Sequence, residues 1–481
     1  MPPVSELPRS GSTAFVLAGG GAKGSFEVGA LQYLIGEEGI TPDIVTAASA
    51  GALAASVLAQ ARTLGEFVQR VQEIEDDILA MTRTDLVFGQ QAWLQALQGT
   101  ELGNSIASAL TEGTRPPFPL GETRSRSEAT GGRRRVMRRA RRRRRRRMFR
   151  LLLGAGFRLP KARRKLRTSG SSALNLQPLA DALRQGGPSG IGPIDQSLIN
   201  RPGLQLRLAV TALRAGVLRY VTEDGTIVED DALTPALGSA SGPVDLVDGA
   251  VASASVPLVF PPHPMADDDY VDGGVLQIIP VHAAVQLGAT RIIAVAAIPL
   301  ALARDEHDYT TATAPHIGLR AMGMIGLAHR QRDNLAAALP PGTTLTTIDP
   351  VVDIVGLFEI EPGLLRINMD YGWLRAADVM AVGDAAIVAE VAAQTHMLVA
   401  ARFEAWKLEE TLWAQKVSAG SGEAGTLAMV RERKEQIRLA VEQRKQLGFP
   451  VPAECASWWS EFEVHAGTRP PHLPSGPTDR G

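Results

Sequence analysis

Residues 13–18 form a short apolar run that stops at glycines, and beyond them Phe26, Ala30, Leu31 and Leu34 recur at helical spacing. The pattern predicts a strand, a tight turn and a helix. It repeats at Ile44-Val45-Thr46-Ala47, followed by Ala48-Ser49-Ala50-Gly51 and a helix of small residues over 52–61. Two such units in succession predict βαβ organisation with a largely parallel sheet. Helical spacing continues over 64–81 and 91–110. After a break, patterning resumes near Leu174, with a helix at 176–184 and strands at 205–212 and 217–222 joined by a turn around Ala215-Gly216. A helix at 245–255, a strand entering Asp272, a helix at 281–287 and strands at 291–298 and 343–348 follow. Segments 374–412 and 427–447, rich in Ala, Glu, Gln, Lys and Arg with apolar residues three and four apart, predict two long helices.

Composition changes this picture in two places. At 481 residues, 45% of them hydrophobic, the chain is long enough for one large core and an accessory piece. The formal net charge of −1 conceals a segregation: residues 124–167 carry 21 of the 50 Lys and Arg residues, and only one of the 51 Asp and Glu residues, Glu128. Twelve arginines fall within 133–147. Like charges repel and offer little apolar surface, so 113–172 reads as a disordered insertion. A cluster of that kind suits an anionic membrane surface, with Met148-Phe149 and Leu151-Leu152-Leu153 as an apolar anchor. Nucleic acid is disfavoured because no aromatic residue interleaves the arginines to stack bases.

The resulting division is a flexible 1–12, an α/β domain over 13–370 interrupted by 113–172, a helical region over 371–466 and a disordered tail over 467–481. Trp406, Trp413, Trp458 and Trp459 are expected as packing anchors of the helical region, with a membrane interface as the other reading. A single cysteine, Cys455, a polar and proline-bearing start and no apolar run of 18 residues lead to the expectation of a cytoplasmic protein that meets membranes only from the surface.

Three separated segments carry the chemistry. Ser49, flanked by Ala47, Ala48, Ala50 and Gly51, stands where a strand turns into a helix, and small neighbours are needed where the two backbones converge. Gly19-Gly20-Gly21-Ala22-Lys23-Gly24 supplies backbone N–H groups at a helix start, suited to developing negative charge. Asp272, followed by Gly273 and Gly274, is a carboxylate on a tight turn. Together they provide nucleophile, base and oxyanion donors for acyl transfer. Two other arrangements use the same residues. Gly19, Gly21 and Gly24 fit a dinucleotide loop, although Asp43 precedes its strand instead of ending it. His263 and His282 flank Asp272 and would permit a histidine triad. No His, Cys and Asp cluster has metal-ligand spacing, and no cofactor is implied.

These segments, with Ala252-Ser253-Ala254-Ser255-Val256-Pro257, Phe260-Pro261-Pro262 and Tyr270-Val271-Asp272-Gly273-Gly274-Val275 before Pro280-Val281, resemble the bacterial patatin-like phospholipase family in order and spacing. The resemblance covers about 13–112 and 173–350. It implies a three-layer α/β/α protein acting on phospholipids or other acyl esters, with Ser49 as nucleophile, Asp272 as base and oxyanion donors within Gly20 to Lys23. Two departures stand out. Ala47 occupies a position that is usually glycine in the family, and Gln277-Ile278-Ile279 replaces an Asn-Asn pair before the proline. If those asparagines brace the base loop, this chain braces it otherwise. A catalytically weak or silent lipid-binding scaffold is the second reading.

Overall fold

The computed structural model describes residues 11–80, 88–90, 172, 174–186, 193–236, 242–302, 309–310, 317–381, 385–417 and 423–463. The arginine-rich insertion, its apolar anchor, the helix expected at 91–110 and the tail lie outside them.

Nine strands make one mixed sheet. They are β1 (Thr13–Leu17), β2 (Ile44–Ala48), β5 (Gln205–Ala212), β6 (Val217–Thr222), β7 (Ile227–Glu229), β8 (His263–Met265), β9 (Asp268–Asp272), β10 (Arg291–Val295) and β11 (Thr344–Ile348). The order is β11-β10-β1-β2-β5-β6-β7, with β8 and β9 attached to β5. A two-stranded ribbon of β3 (Gly89–Gln90) and β4 (Leu174–Asn175) stands apart. β11, β10, β1, β2 and β5 are parallel, and β5, β6, β7, β8 and β9 pair antiparallel.

Alternate residues of the parallel strands feed two cores, as a pleated strand covered on both faces requires. Phe15, Leu17, Val45 and Ala47 pack on one side with α1 (Ser25–Leu31), α2 (Ala50–Leu58) and α3 (Leu64–Ala80). Ala14, Val16, Ile44, Ile292 and Ala294 pack on the other. The helices that follow are α4 (Gln177–Gln185), α5 (Gln196–Ile199), α6 (Leu246–Ser253), α7 (Val281–Gln286) and α8 (Gly326–Leu335). α7 and α8 cover the second face, giving three layers, α/β/α.

The C-terminal part departs from the sequence reading at one point. The segment expected as one helix is two, α9 (Pro362–Met380) and α10 (Ala385–Val417), followed by α11 (Glu423–Gln446) and α12 (Ser457–Ser460). The helix starts early because Pro362 suits a first turn, and it stops where Ala381 turns extended at φ −62°, ψ 133°, beside a Val382-Gly383 pair of poor helix formers. α9 runs through residue 370, where the sequence suggested a boundary, and its residues share the core of the first face. Trp406 and Trp458 are buried there, with the Arg402 guanidinium 4.3 Å from the Trp458 ring centre. None of the described helices is long and apolar enough to cross a membrane.

Candidate active site

Strand β5 brings Ser49 and Asp272 together. β2 runs beside it until Ala48 pairs with Ala209, and β9 arrives from the opposite direction until Asp272 pairs with Val210. β6 occupies the other edge of β5 from Arg207 to Ala212, so β9 takes over the edge that β2 leaves. The last residues of β2 and β9 therefore meet end to end, although more than two hundred positions separate them in the chain.

Ser49 lies between β2 and α2 with φ 54° and ψ −126°, a conformation that L-residues rarely hold and that the surroundings must enforce. Its N–H donates to Ser253 Oγ at 3.0 Å, and Ser253 Oγ donates in turn to the Ala209 carbonyl at 2.7 Å. A Cβ on Gly51 would stand 2.5 Å from the Ala18 carbonyl oxygen, so the first turn of α2 fits against β1 only without a side chain there. Ala47, the departure from the family pattern, is fully buried with Leu17 and Leu208, its methyl absorbed by the apolar core.

Asp272 is almost fully buried, and that burial pushes its pKa up to about 6, opposed by a hydrogen bond from the Ser49 side chain, another from the Gly274 N–H at 2.7 Å, and the nearby Arg330 charge. The loop is braced from several directions. The Asp272 N–H donates to the Ser255 carbonyl at 3.0 Å, and Thr211 Oγ1 donates to the Asp272 carbonyl at 3.0 Å. The Ser-Ala-Ser run thus has two jobs: Ser253 fixes the serine turn and Ser255 the aspartate loop. In place of the absent asparagine pair, Asn334 of α8 accepts the N–H groups of Ile278 and Ile279 through Oδ1 at 3.1 and 3.4 Å. Arg330 Nε donates to the Gly274 carbonyl at 2.9 Å, and the Tyr220 hydroxyl donates to Gln277 Oε1. None of these partners carries a motif that sequence reading detects.

The glycine turn distributes its N–H groups unevenly. Gly19 N–H donates to the Ile278 carbonyl at 3.0 Å, Ala22 N–H to the Leu357 carbonyl at 2.8 Å and Lys23 N–H to the Gly20 carbonyl at 3.1 Å. Those of Gly20 and Gly21 have no acceptor among the described residues. Gly21 has φ +55°, and a Cβ there would stand 2.1 Å from the Leu357 oxygen. Lys23 is buried in an ion pair with Asp353, a structural strut, while Asn368 Nδ2 of α9 reaches the Lys23 carbonyl at 3.2 Å and Ser25 Oγ at 2.8 Å. Gly24 stands where the turn passes into α1, its Cβ position 3.3 Å from the Ala50 Cβ.

The competing arrangements find no geometric support. His263 Nε2 faces Asp248 at 2.9 Å, and His282 is exposed. Asp43 accepts the Thr13 N–H at 2.9 Å at the start of β1, the opposite end of the strand from the glycine turn.

An apolar cavity opens on Ser49. Leu53 and Val57 of α2, Leu179 of α4 and three phenylalanines line it, with ring centres of Phe88, Phe260 and Phe358 5.4 to 6.2 Å apart. A lining of this kind suits an alkyl chain.

Comparison with curated proteins finds no match. Among solved structures the chain is similar to VipD from Legionella pneumophila, with 14% identity over 91% of this chain and 84% of that one, at a TM-score of 0.26. The family model for patatin-like phospholipases matches residues 15–285, more than half the chain and the whole span from the glycine turn to Gly274. The chain belongs to the patatin-like phospholipase family.

Proposed function

We propose that the protein is a lipid acyl hydrolase that cleaves carboxylic esters through an acyl-serine intermediate, with Ser49 as nucleophile and Asp272 as base. The observation that carries this reading is the end-to-end meeting of β2 and β9 on β5, which leaves Ser49 beside a buried carboxylate at the end of an apolar cavity. Asp272 takes the hydroxyl proton as Ser49 Oγ bonds to the ester carbon, and the carbonyl electrons move onto oxygen. The Gly20 and Gly21 N–H groups receive that oxyanion. Collapse expels the alcohol, which takes the proton from Asp272, and water releases the acid by the same steps in reverse roles.

Two features make a carboxylate adequate without histidine. Exclusion of water raises its basicity, and a preorganised oxyanion site contributes about 10²–10³ in rate per donor. Glycine supplies both donors because the Gly21 conformation aims consecutive N–H groups without a side chain striking Leu357. Peripheral attachment through the basic segment 124–167 belongs to the same reading, supported by its charge alone.

Purified protein is expected to react with a fluorophosphonate probe at Ser49 and to release free fatty acid from phosphatidylglycerol vesicles. Both are expected to vanish in Ser49→Ala, with a loss of at least about a thousandfold. Labelling that persists in that variant ends the assignment. Vesicle binding without fatty-acid release by the wild type would replace it with a lipid-binding role.

A further inference from the structure

Among the described residues, the wall of the cavity carries one acidic side chain. Helix α3 presents Ile74, Asp77 and Ile78 to it, and apart from Asp77 and the Ser25 and Ser49 hydroxyls the described lining side chains are aliphatic or aromatic. Asp77 is only 7% exposed, and none of the hydrogen bonds or ion pairs of the described residues reaches it.

Burial, and after it the neighbouring Glu73 and Asp76, push the Asp77 pKa up to about 7. A large fraction of the group is therefore a neutral carboxylic acid near pH 7, with one donor and one acceptor facing an apolar space that contains the reacting serine.

We infer that Asp77 is a specificity-determining residue that recognises a hydroxyl group on the acyl chain, so that esters of hydroxylated fatty acids are the preferred substrates. This rests on the hydrolase reading above and deepens it. A hydroxyl both donates and accepts, and so pairs with both functions of the neutral carboxyl. An amine would instead require a desolvated ion pair in a largely apolar wall. A plain alkyl chain leaves the carboxyl buried and unpaired, and sites built to bind a hydroxyl discriminate strongly against analogues that lack it.

The test compares p-nitrophenyl dodecanoate with the p-nitrophenyl esters of 3-, 6-, 10- and 12-hydroxydodecanoic acid, using wild type, Asp77→Asn and Asp77→Leu. The wild type is expected to favour at least one hydroxyacyl ester by about tenfold in kcat/KM, with the difference in KM. Asp77→Asn, whose amide still donates and accepts, is expected to retain most of that ratio. Asp77→Leu is expected to lose it and to gain on the plain ester, with Ser49 still labelled by fluorophosphonate as evidence that the fold is intact. No hydroxyacyl preference in the wild type, or the same ratio in Asp77→Leu, overturns the inference.

Should the wild type cleave none of these esters, the hydrolase reading fails separately. Titration calorimetry of dodecanoic acid and the four hydroxy acids then decides the matter for the same cavity. Tighter binding of a hydroxy acid that Asp77→Leu abolishes supports the role of Asp77, and equal binding refutes it.

Discussion

The catalytic face and the C-terminal helices bury polar groups in opposite ways. In the helical region buried charges are paired: Arg402 meets Asp370 at 2.6 Å and Glu463 at 2.9 Å, and Arg444 meets Asp378 at 2.6 Å and the Thr395 hydroxyl at 2.8 Å. At the catalytic face several groups are left wanting. Ser49 holds a strained backbone, and the Gly20 and Gly21 N–H groups lack acceptors among the described residues. One region's polar groups hold the fold, whereas the other leaves groups strained or unpaired at a cost in stability. The two regions meet through α9, whose Asn368 supports the glycine turn while its Asp370 anchors Arg402.

Substitutions on each side are expected to separate activity from stability. Gly21→Ala strikes the glycine turn itself: the added methyl cannot coexist with the Leu357 carbonyl, so the turn shifts and both N–H groups leave their places. A fall in kcat of about a thousandfold is expected, with esterase assays as the readout and circular dichroism confirming the fold. Arg402→Met inverts the pattern. It strands Asp370 and Glu463 without their shared partner, for a loss of about 3–5 kcal/mol in urea unfolding, while kcat/KM of the folded protein stays within about twofold. Equal damage to activity in both variants would mean that the regions are not separable in this way.

Asp272→Asn tests the cost directly, and the direction follows from the pKa. The folded state holds the Asp272 proton up to about pH 6, whereas the unfolded chain releases it near the ordinary aspartate value of 3.8. Between those values the folded state binds more protons, so this group lowers stability as pH rises through the window, and the penalty is complete above it. Removing the charge is therefore expected to stabilise the protein by on the order of 2 kcal/mol above pH 6, with no gain below pH 4, while abolishing turnover. Urea titrations at pH 4 and pH 7.5 measure the difference.

The parts of the site that are contiguous in the chain were legible in the sequence. A serine between an apolar run and small residues, a glycine turn after a strand and an Asp-Gly-Gly step each declare themselves locally, because strand, turn and helix must approach closely there. Their meeting at Ala209 and Val210 was not legible, since nothing in β5 advertises that one of its edges is shared by two strands of opposite direction. Leu357, Asn368, Arg330 and Asn334 act only through contacts made after folding, and single residues in helices and loops carry no spacing signal. The same limit explains the helical region: periodicity identified helices, but the break after Met380 depends on one residue leaving helical geometry.

The smallest effect sharpens the comparison most, because it concerns the cation nearest Asp272 among the described groups that shift its pKa. Arg330 donates to the Gly274 carbonyl, and its charge favours the ionised form of Asp272. If that charge matters for catalysis, Arg330→Gln raises the Asp272 pKa further. The acid limb of the kcat/KM profile, expected near pH 6 in the wild type, then moves to higher pH, with a loss of about three- to tenfold at pH 6 that shrinks above pH 8. Arg330→Lys keeps the charge and is expected to restore the limb even where the hydrogen bond to Gly274 is weakened. If Arg330 only props the loop, activity falls by the same factor at every pH and lysine rescues it poorly. A uniform drop would therefore align Arg330 with Arg402, as a residue that holds the fold, and leave Asp272 tuned by burial and its own hydrogen bonds.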